Sequence, residues 1–362
     1  MSAFSVYQHY FFDATQEYDV AVLLQQSLQR QQLYSDCEAI PAALYGLMLQ
    51  PKNALEPQAV YLGKIVSLKP EWQAMMVDIG TEKPVFVRTS QHTPLLAAGS
   101  LVIITIRRPP MDGKEAMAEM SITITHPFFI LQQSPLPHSK RISFSKRWPN
   151  NQLKPEIAPE IWMNRQDISL ILRHHAATID KERIKQEISL SYAKIEQLQA
   201  AASQKQTVGL LCEAPALYQR LLESYGLQNV EYKGKEYWPA WLEEAIATLH
   251  STRFSLKTGE VIHIESTKAG WMVDVDSGSQ KNTAMANHHA IDCIGRLISL
   301  KNMGGRILID PAGNETPQRL LAELQKKLAL DPWKNELYGY TRSGLIEIVR
   351  EKNGQSLHKK QC

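Results

Sequence analysis

Two apolar runs that each end in aspartate, with a helical segment between them, constrain the last third of the chain most strongly. Residues 270–276 (GWMVDVD) and 306–310 (RILID) are predicted to be buried strands, and residues 284–300 have the apolar spacing of a helix. Strands that alternate with helices are typical of an α/β sheet, so we expect this fold from residue 252 onward. Further strands are predicted at 254–256, 261–265 and 345–349, and a further helix at 317–328.

Aspartates lie where the two apolar runs end. Asp274 and Asp310 terminate their strands, and Asp276 follows Asp274 by two residues, which places both on one face. Ligands of open α/β sheets bind at the carboxyl ends of the strands. Mg²⁺ prefers one or two carboxylates with water and a phosphate oxygen, so Asp274 and Asp310 are predicted to hold magnesium for phosphodiester cleavage. The alternative is that these aspartates only form turns or cap helices.

The middle of the chain is predicted to form a small barrel followed by mixed structure. Short strands separated by turn signals are predicted at 60–68, 73–78, 84–88, 101–107, 116–125 and 127–132. Beyond them we predict strands at 168–173 and 207–212, and helices at 180–201, 214–225 and 239–249. An earlier strand is predicted at 19–24.

Length and composition limit the class of protein. A chain of 362 residues is too long for one ordinary core, so two to four compact units are expected. With 44% hydrophobic and 21% charged residues it is globular, and its net charge of +3 permits an acidic partner such as RNA without requiring one. The four cysteines form no Cys-x-x-Cys pair, and neither a signal peptide nor a membrane span is recognisable. A cytoplasmic protein is therefore expected.

Three motifs, in order, resemble the ribonuclease E/G family. Residues 258–278 (TGEVIHIESTKAGWMVDVDSG) resemble the family segment that leads into Asp-(Val/Ile)-Asn-Ser. Residues 296–310 (RLISLKNMGGRILID) resemble RQLRLRDLGG followed by an apolar strand and Asp, and 344–350 (GLIEIVR) is similar to Gly-Leu-x-Glu-(Met)-x-Arg. Toward the start, 61–80 is similar to the family's RNA-binding part, 168–173 to its sensor, and 12–22 to its first strand.

The resemblance implies a chain of several subdomains that combines α+β and α/β structure. An OB-fold RNA-binding barrel would be inserted in a ribonuclease-H-like part and followed by a deoxyribonuclease-I-like α/β catalytic subdomain. The expected divisions are 1–57 for the start of the ribonuclease-H-like subdomain, 58–127 for the OB-fold, 128–204 for a five-prime sensor-like subdomain, 205–249 for a reduced ribonuclease-H-like remainder and 250–362 for the catalytic subdomain.

The resemblance also assigns roles to the three aspartates. Asp274 and Asp310 match the family's two metal-binding carboxylates, for Mg²⁺ or alternatively Mn²⁺. Asp276 stands at a catalytic position where the family has an asparagine that orients the phosphate or the attacking water. A carboxylate at that position repels phosphate at neutral pH, which puts the rate of cleavage in question.

RNA-binding residues are implied in the barrel. Phe86 matches a base-stacking aromatic, Met76 replaces another, and Lys114 matches a basic residue that contacts the substrate. From the residues alone, Phe86 would be interpreted as barrel core.

A five-prime phosphate site is implied in the sensor. Arg173 matches the arginine that reads a five-prime monophosphate, His174 replaces its threonine partner, and Lys334 falls where a second basic residue is expected.

The sequence also departs from the family. Ser299 and Lys301 replace arginines and Asn302 replaces an aspartate, which thins the expected basic helix surface. The Cys-Pro-x-Cys zinc link is missing, so no zinc is expected, and an oligomer, if one forms, is not zinc-linked. A second zinc hypothesis, with His288, His289, Asp292 and Cys293 on one helix, lacks further ligands, and ordinary helix surface and core is preferred.

The leading hypothesis is a magnesium-dependent endoribonuclease that cleaves single-stranded RNA in RNA processing or decay. The alternative is a catalytically weakened RNA-binding protein derived from such an enzyme, which Met76, Asp276, Ser299 and the missing zinc link favour. A third hypothesis is a metal-binding α/β protein with no RNA role.

Overall fold

The computed structural model describes most of the chain and contains four β-sheets and five α-helices in the part that it describes. The described residues are 7–12, 18–25, 40–52, 54–89, 96–111, 114–135, 142–150, 152, 154–155, 157, 165–227, 230–234, 237–313, 317–354 and 356–357. They divide into two compact units. The composite unit comprises Met1–Lys52, Leu217–Ser224 and Asn229–Cys362, and the inserted unit comprises Asn53–Ala216 and Tyr225–Gln228.

The amino-terminal sheet belongs to the composite unit. Its first strands are β1 (Tyr7–Phe12), β2 (Tyr18–Gln25) and β3 (Leu44–Pro51), which pair in antiparallel order. The strand predicted at 19–24 is confirmed as the centre of β2, whereas β3 was not predicted. Residues 13–17, part of the segment likened to the family's first strand, lie outside the described residues.

The inserted unit begins with a closed five-stranded barrel, which confirms the predicted small barrel and is OB-like. Its strands are β4 (Val60–Lys69), β5 (Ala74–Asp78), β6 (Val85–Arg88), β7 (Leu101–Arg108) and β8 (Met117–Glu119). They pair in the order β4-β5-β6-β8-β7, and β7 pairs back with β4. Met75, Val77, Val85 and Val87 fill the interior because alternate residues of each strand point inward.

The prediction of one strand over 116–125 is wrong. The chain breaks into β8 and a separate strand, β9 (Ile122–Thr125), which pairs with a different sheet. The break is held by the buried Thr105 hydroxyl, which donates to the Ser121 carbonyl at 2.7 Å and accepts from the Thr123 amide at 3.1 Å.

The rest of the inserted unit packs one long helix on a second sheet. The sheet consists of β9, β10 (Phe129–Gln133), β11 (Ile142–Phe144) and β12 (Ile168–Leu172). Helix α1 (Lys181–Gln204) starts after Asp180, whose carboxylate accepts from the amides of Glu182 and Arg183. Its buried stripe packs on this sheet, and β13 (Gly209–Cys212) returns to pair with β4.

The composite unit resumes with short elements. They are α2 (Leu217–Ser224), β14 (Glu231–Lys233), which pairs in parallel with β1, and α3 (Ala240–Leu249).

A six-stranded sheet then completes the composite unit. In chain order its elements are β15 (Arg253–Ser255), β16 (Val261–Ser266), β17 (Trp271–Asp276), α4 (Thr283–Leu300), β18 (Gly305–Asp310), α5 (Gln318–Leu328), β19 (Asn335–Tyr340) and β20 (Ile346–Arg350). The spatial order is β15-β16-β17-β18-β20-β19, with β17 and β18 parallel. This α/β prediction is confirmed, although β19 was not predicted.

The two faces of this sheet differ. One face contributes apolar residues such as Ile262, Val273 and Ile309 to a core shared with α4 and α5. The opposite face, which we call the open face, consists mainly of the polar residues that alternate with them. No helix in the described ranges is long and apolar enough to span a membrane. The five subdomain boundaries and the likeness to ribonuclease H and deoxyribonuclease I stay predictions.

Candidate functional site

Asp274 and Asp310 are direct neighbours on the open face. They are register partners on the parallel strands β17 and β18, where adjacent backbones lie about 4.8 Å apart. Both residues are exposed, whereas Val273 and Ile309, the preceding residues, are buried. Residues therefore alternate along these strands. One set, including Val273 and Ile309, is buried in the core, and the other set exposes the two carboxylates.

The two carboxylates have no cation to compensate them within the described residues. Neither the Asp274 nor the Asp310 carboxylate accepts a hydrogen bond or joins an ion pair there. Like charges at neighbouring positions repel, and a bound cation would relieve that repulsion. No group of three or more metal-ligating side chains is found in the described ranges. Two carboxylates are a ligand set that Mg²⁺ can use together with water and a phosphate oxygen.

Asp276 has a turn-forming role. It lies on the same exposed side of β17 as Asp274, two residues nearer the end of the strand. Its register partner on β16 is Val261. Its carboxylate accepts a hydrogen bond from the amide of Gly278 at 2.8 Å. Gly278 has a φ of +56°, and a Cβ there would clash with the Gly259 carbonyl. The turn interpretation therefore holds for Asp276, while the other two aspartates make no such bond.

Asn287 anchors the loop that follows Asp310. This helix α4 residue is only 4% exposed, and its amide donates to the Ala312 carbonyl at 2.9 Å and accepts from the Ala312 amide at 2.8 Å. Sequence reasoning missed Asn287, although an amide among the apolar positions of a predicted helix was an available signal. The contact ties the end of β18 to the helix layer.

Two further residues extend the row of aspartates across the open face. His263 on β16 is the register partner of Asp274, and Arg253 on β15 is the register partner of His263. Their neighbours Ile262, Ile264 and Phe254 are buried. Sequence reasoning did not single out either residue, although alternation in 261–266 already placed His263 on the polar face.

The basic residues of the second motif lie inside the composite unit. Arg296 donates to the carbonyls of Ile40, Pro41 and Leu44 at 2.9–3.0 Å. Lys301 is 1% exposed and donates to the carbonyls of Leu249 and Ser251, and burial lowers the pKa of its ammonium group to about 8.

The structure therefore presents no basic helix surface at the described residues 299–301, where the sequence had predicted a thinned one. Ser299 also faces inward and donates to Asp331 at 3.4 Å. These positions hold the unit together instead of offering charge to a ligand.

The arginine of the third motif is also internal. Arg350 is 1% exposed and forms a two-pronged ion pair with Asp331, Nε to Oδ2 at 2.6 Å and Nη2 to Oδ1 at 3.0 Å. Its third bond, from Nη1, goes to the Asn302 side chain at 2.8 Å. The motif therefore joins β20 to the loops after α4 and α5.

The histidines of α4 have separate partners. His288 contacts Glu323 at 2.7 Å and His289 contacts Glu260 at 2.9 Å. Asp292 pairs with Lys327, and Cys293 is buried in the core. These contacts favour the interpretation as helix surface and core.

Phe86 lies on the outer surface of the barrel. It is half-buried between the inward-facing Val85 and Val87, and its register partner on β5 is Met76. The residue-only interpretation of Phe86 as barrel core is therefore wrong. Lys114 precedes β8, is exposed, and forms an isolated antiparallel bridge with Met111.

The residues likened to a phosphate sensor lie in both units. Arg173 follows β12, is half-buried, and donates from Nη1 to the His126 carbonyl at 3.2 Å. Burial, together with the positive charges of Arg147 and Arg173, lowers the pKa of His174 to about 4, so this imidazole is neutral at pH 7. Lys334 belongs to the composite unit and pairs with Glu336 at 3.2 Å.

The chain combines an OB-like barrel, inserted in the sequence of an α/β unit, with paired carboxylates on an open sheet face. Residues 235–353 match the model of the Ribonuclease E/G family. The chain is 22% identical to Ribonuclease G of Haemophilus influenzae and 21% identical to that of Escherichia coli K12, in each case over 84% of this chain and 74% of the relative. It is 23% identical to Ribonuclease E of Nostoc sp. over 83% of this chain, and it spans about half of that relative, 52%. The chain is thus similar to ribonucleases G and E over most of its length, and to the Ribonuclease E/G family model over residues 235–353.

Proposed function

We propose that this protein is a divalent-metal-dependent endoribonuclease that cleaves single-stranded RNA in RNA processing or decay. The observation that carries the proposal is the register pairing of Asp274 with Asp310 on the open face, without a compensating cation in the described residues. Similarity to the ribonuclease E/G family supports a phosphodiester as the bond that is broken.

Asp274 and Asp310 would hold the metal, with Mg²⁺ the expected ion and Mn²⁺ a substitute. A bound Mg²⁺ supplies Lewis-acid polarisation of the phosphate and lowers the pKa of an attacking water. The protein's own contribution is to hold the two carboxylates at fixed separation, since Val273 and Ile309 anchor their strands in the core. Asn287 keeps the loop after Asp310 in place through its two bonds to Ala312.

The barrel would hold the RNA. Phe86 is placed on the barrel surface, where its ring can stack on a base, and Lys114 is exposed for a phosphate contact. Met76 beside Phe86 offers apolar contact without an aromatic ring, so a grip weaker than that of two aromatics is expected. Recognition of a five-prime monophosphate by Arg173 and the neutral His174 is a further part of the proposal, as is a cytoplasmic location.

Cleavage of a fluorescent single-stranded RNA with and without EDTA tests the proposal. Asp274→Asn and Asp310→Asn should each abolish Mg²⁺-dependent cutting while the protein stays folded. Glu265→Gln is the matched control because Glu265 is an exposed carboxylate on β16 that is paired in register with Met272. Cutting by Asp274→Asn at the wild-type rate would refute the metal assignment.

A second candidate is an RNA-binding protein of the same family with weakened catalysis. Asp276 favours it, because its carboxylate is held by Gly278 and adds negative charge beside the paired aspartates. Asp276→Asn separates the two candidates. An increase in the cleavage rate supports a working but slowed enzyme, whereas RNA binding without cleavage by either form in Mg²⁺ and Mn²⁺ supports the binding protein.

A further inference from the structure

Four residues form one row across the open face of the six-stranded sheet. In spatial order they are Arg253, His263, Asp274 and Asp310, each the register partner of the next on the neighbouring strand. Three strand spacings separate the ends of the row, which is about 14 Å. The row therefore has two carboxylates on one half and two hydrogen-bond donors on the other.

The side chains of Arg253 and His263, the donor half of the row, make no polar contact of their own in the described part of the chain. The guanidinium of Arg253 and the imidazole of His263 make no hydrogen bond or ion pair there. Arg306, an arginine on the same open face, pairs with Glu347 at 3.1 Å instead. Arg253 and His263 are therefore available to a ligand, whereas Arg306 already has a partner.

We propose that Arg253 and His263 bind an RNA phosphate next to the one held at Asp274 and Asp310. This inference rests on the proposed function and gives the substrate a direction across the strands, from β18 toward β15. An arginine offers several N–H donors to phosphate oxygens, and an imidazole offers at least one. These donors also offset the negative charge that Asp276 adds to the site.

Arg253 alone has a competing explanation. β15 is an edge strand, and a charged residue on an edge strand prevents pairing with another chain. That role predicts that Arg253→Gln changes self-association and leaves RNA affinity unaltered. Protection of the edge strand does not involve His263. Variants of both residues therefore distinguish edge protection from phosphate binding.

The test compares Arg253→Gln, His263→Leu and His263→Gln with the control Arg306→Gln in the full chain. Steady-state cleavage of single-stranded RNA in Mg²⁺ gives KM and kcat, and fluorescence anisotropy in EDTA gives RNA affinity at several salt concentrations. Arg253→Gln and His263→Leu should raise KM about tenfold with little change in kcat. His263→Gln, which keeps a donor, should recover part of the loss. Arg253→Gln should also reduce the salt dependence of affinity by about one phosphate contact.

The outcomes separate this inference from the proposed function. Wild-type KM and affinity in both Arg253→Gln and His263→Leu would overturn the inference while leaving the metal site intact. An equal loss in Arg306→Gln would also overturn it, because the effect would then be one of general surface charge. Absence of cleavage by the wild type, with RNA affinity reduced in Arg253→Gln but not in Arg306→Gln, would refute the enzyme and support the phosphate site.

Discussion

Removal of the Arg350 guanidinium should destabilise the composite unit without touching the paired aspartates. Arg350→Met leaves the Asp331 carboxylate buried at 3% exposure without its cation, and it also removes the bond to Asn302. Loss of one partner from a buried ion pair typically costs about 3–5 kcal/mol. In a domain of this size, that corresponds to a fall in Tm of roughly 6–20 °C.

A double-mutant cycle shows whether the cost comes from the ion pair. Asp331→Asn in the Arg350→Met background removes the stranded charge, so the double variant should be less destabilised than the sum of the single variants. Urea unfolding followed by circular dichroism gives the free energies. A cost for Arg350→Met below about 1 kcal/mol, or strict additivity, would refute the reasoning.

The Arg350→Met variant also tests whether Arg350 contributes to catalysis at the paired aspartates. Its register partner on β18 is Gly305, five residues before Asp310 and therefore about 16 Å away along the strand. In conditions where Arg350→Met is still folded, its kcat should match the wild type. A loss of kcat in fully folded protein would show that the motif arginine does more than hold the fold.

Three further predictions concern Lys301, Phe86 and Asn287. The pKa of Lys301 is lowered to about 8 in the folded protein and is about 10.4 in the unfolded chain, so the unfolded state binds more protons between these values. Relative to Lys301→Met, the wild-type free energy of unfolding, measured by urea titration, should therefore rise by about 2 kcal/mol from pH 8 to 10. Phe86→Ala should weaken RNA binding by about 1–3 kcal/mol in anisotropy, whereas Leu101→Ala, which trims another exposed barrel side chain, should not. Asn287→Leu should lower kcat and speed hydrogen exchange at the Ala312 amide, and unchanged exchange would contradict its anchoring role.

Local patterns were sufficient to predict much of the fold. The two apolar runs that lead into Asp274 and Asp310 predicted β17 and β18, and the strand–helix–strand order predicted their common sheet. The same alternation, applied to Val85 and Val87, would have placed Phe86 outside the barrel. Here the sequence contained the signal, and the prediction from residue type alone overlooked it.

Other features depend on partners that are distant in sequence. Nothing near Lys301 indicates burial, because its acceptors are the carbonyls of Leu249 and Ser251, about fifty residues earlier. β19 lacks a regular apolar alternation because a register shift between Leu337 and Gly339 interrupts it. The break between β8 and β9 depends on the hydroxyl of Thr105 on another strand.

The open face of the six-stranded sheet affects how this chain can change during evolution. Along β17, one set of residues is buried in the core and the alternate set is exposed on the open face. If Asp274 holds the metal as proposed, a substitution there should alter reactivity at little cost in stability, whereas one at the buried Val273 should destabilise the fold. In such a scaffold, single substitutions on the open face can weaken or restore activity while the fold is retained.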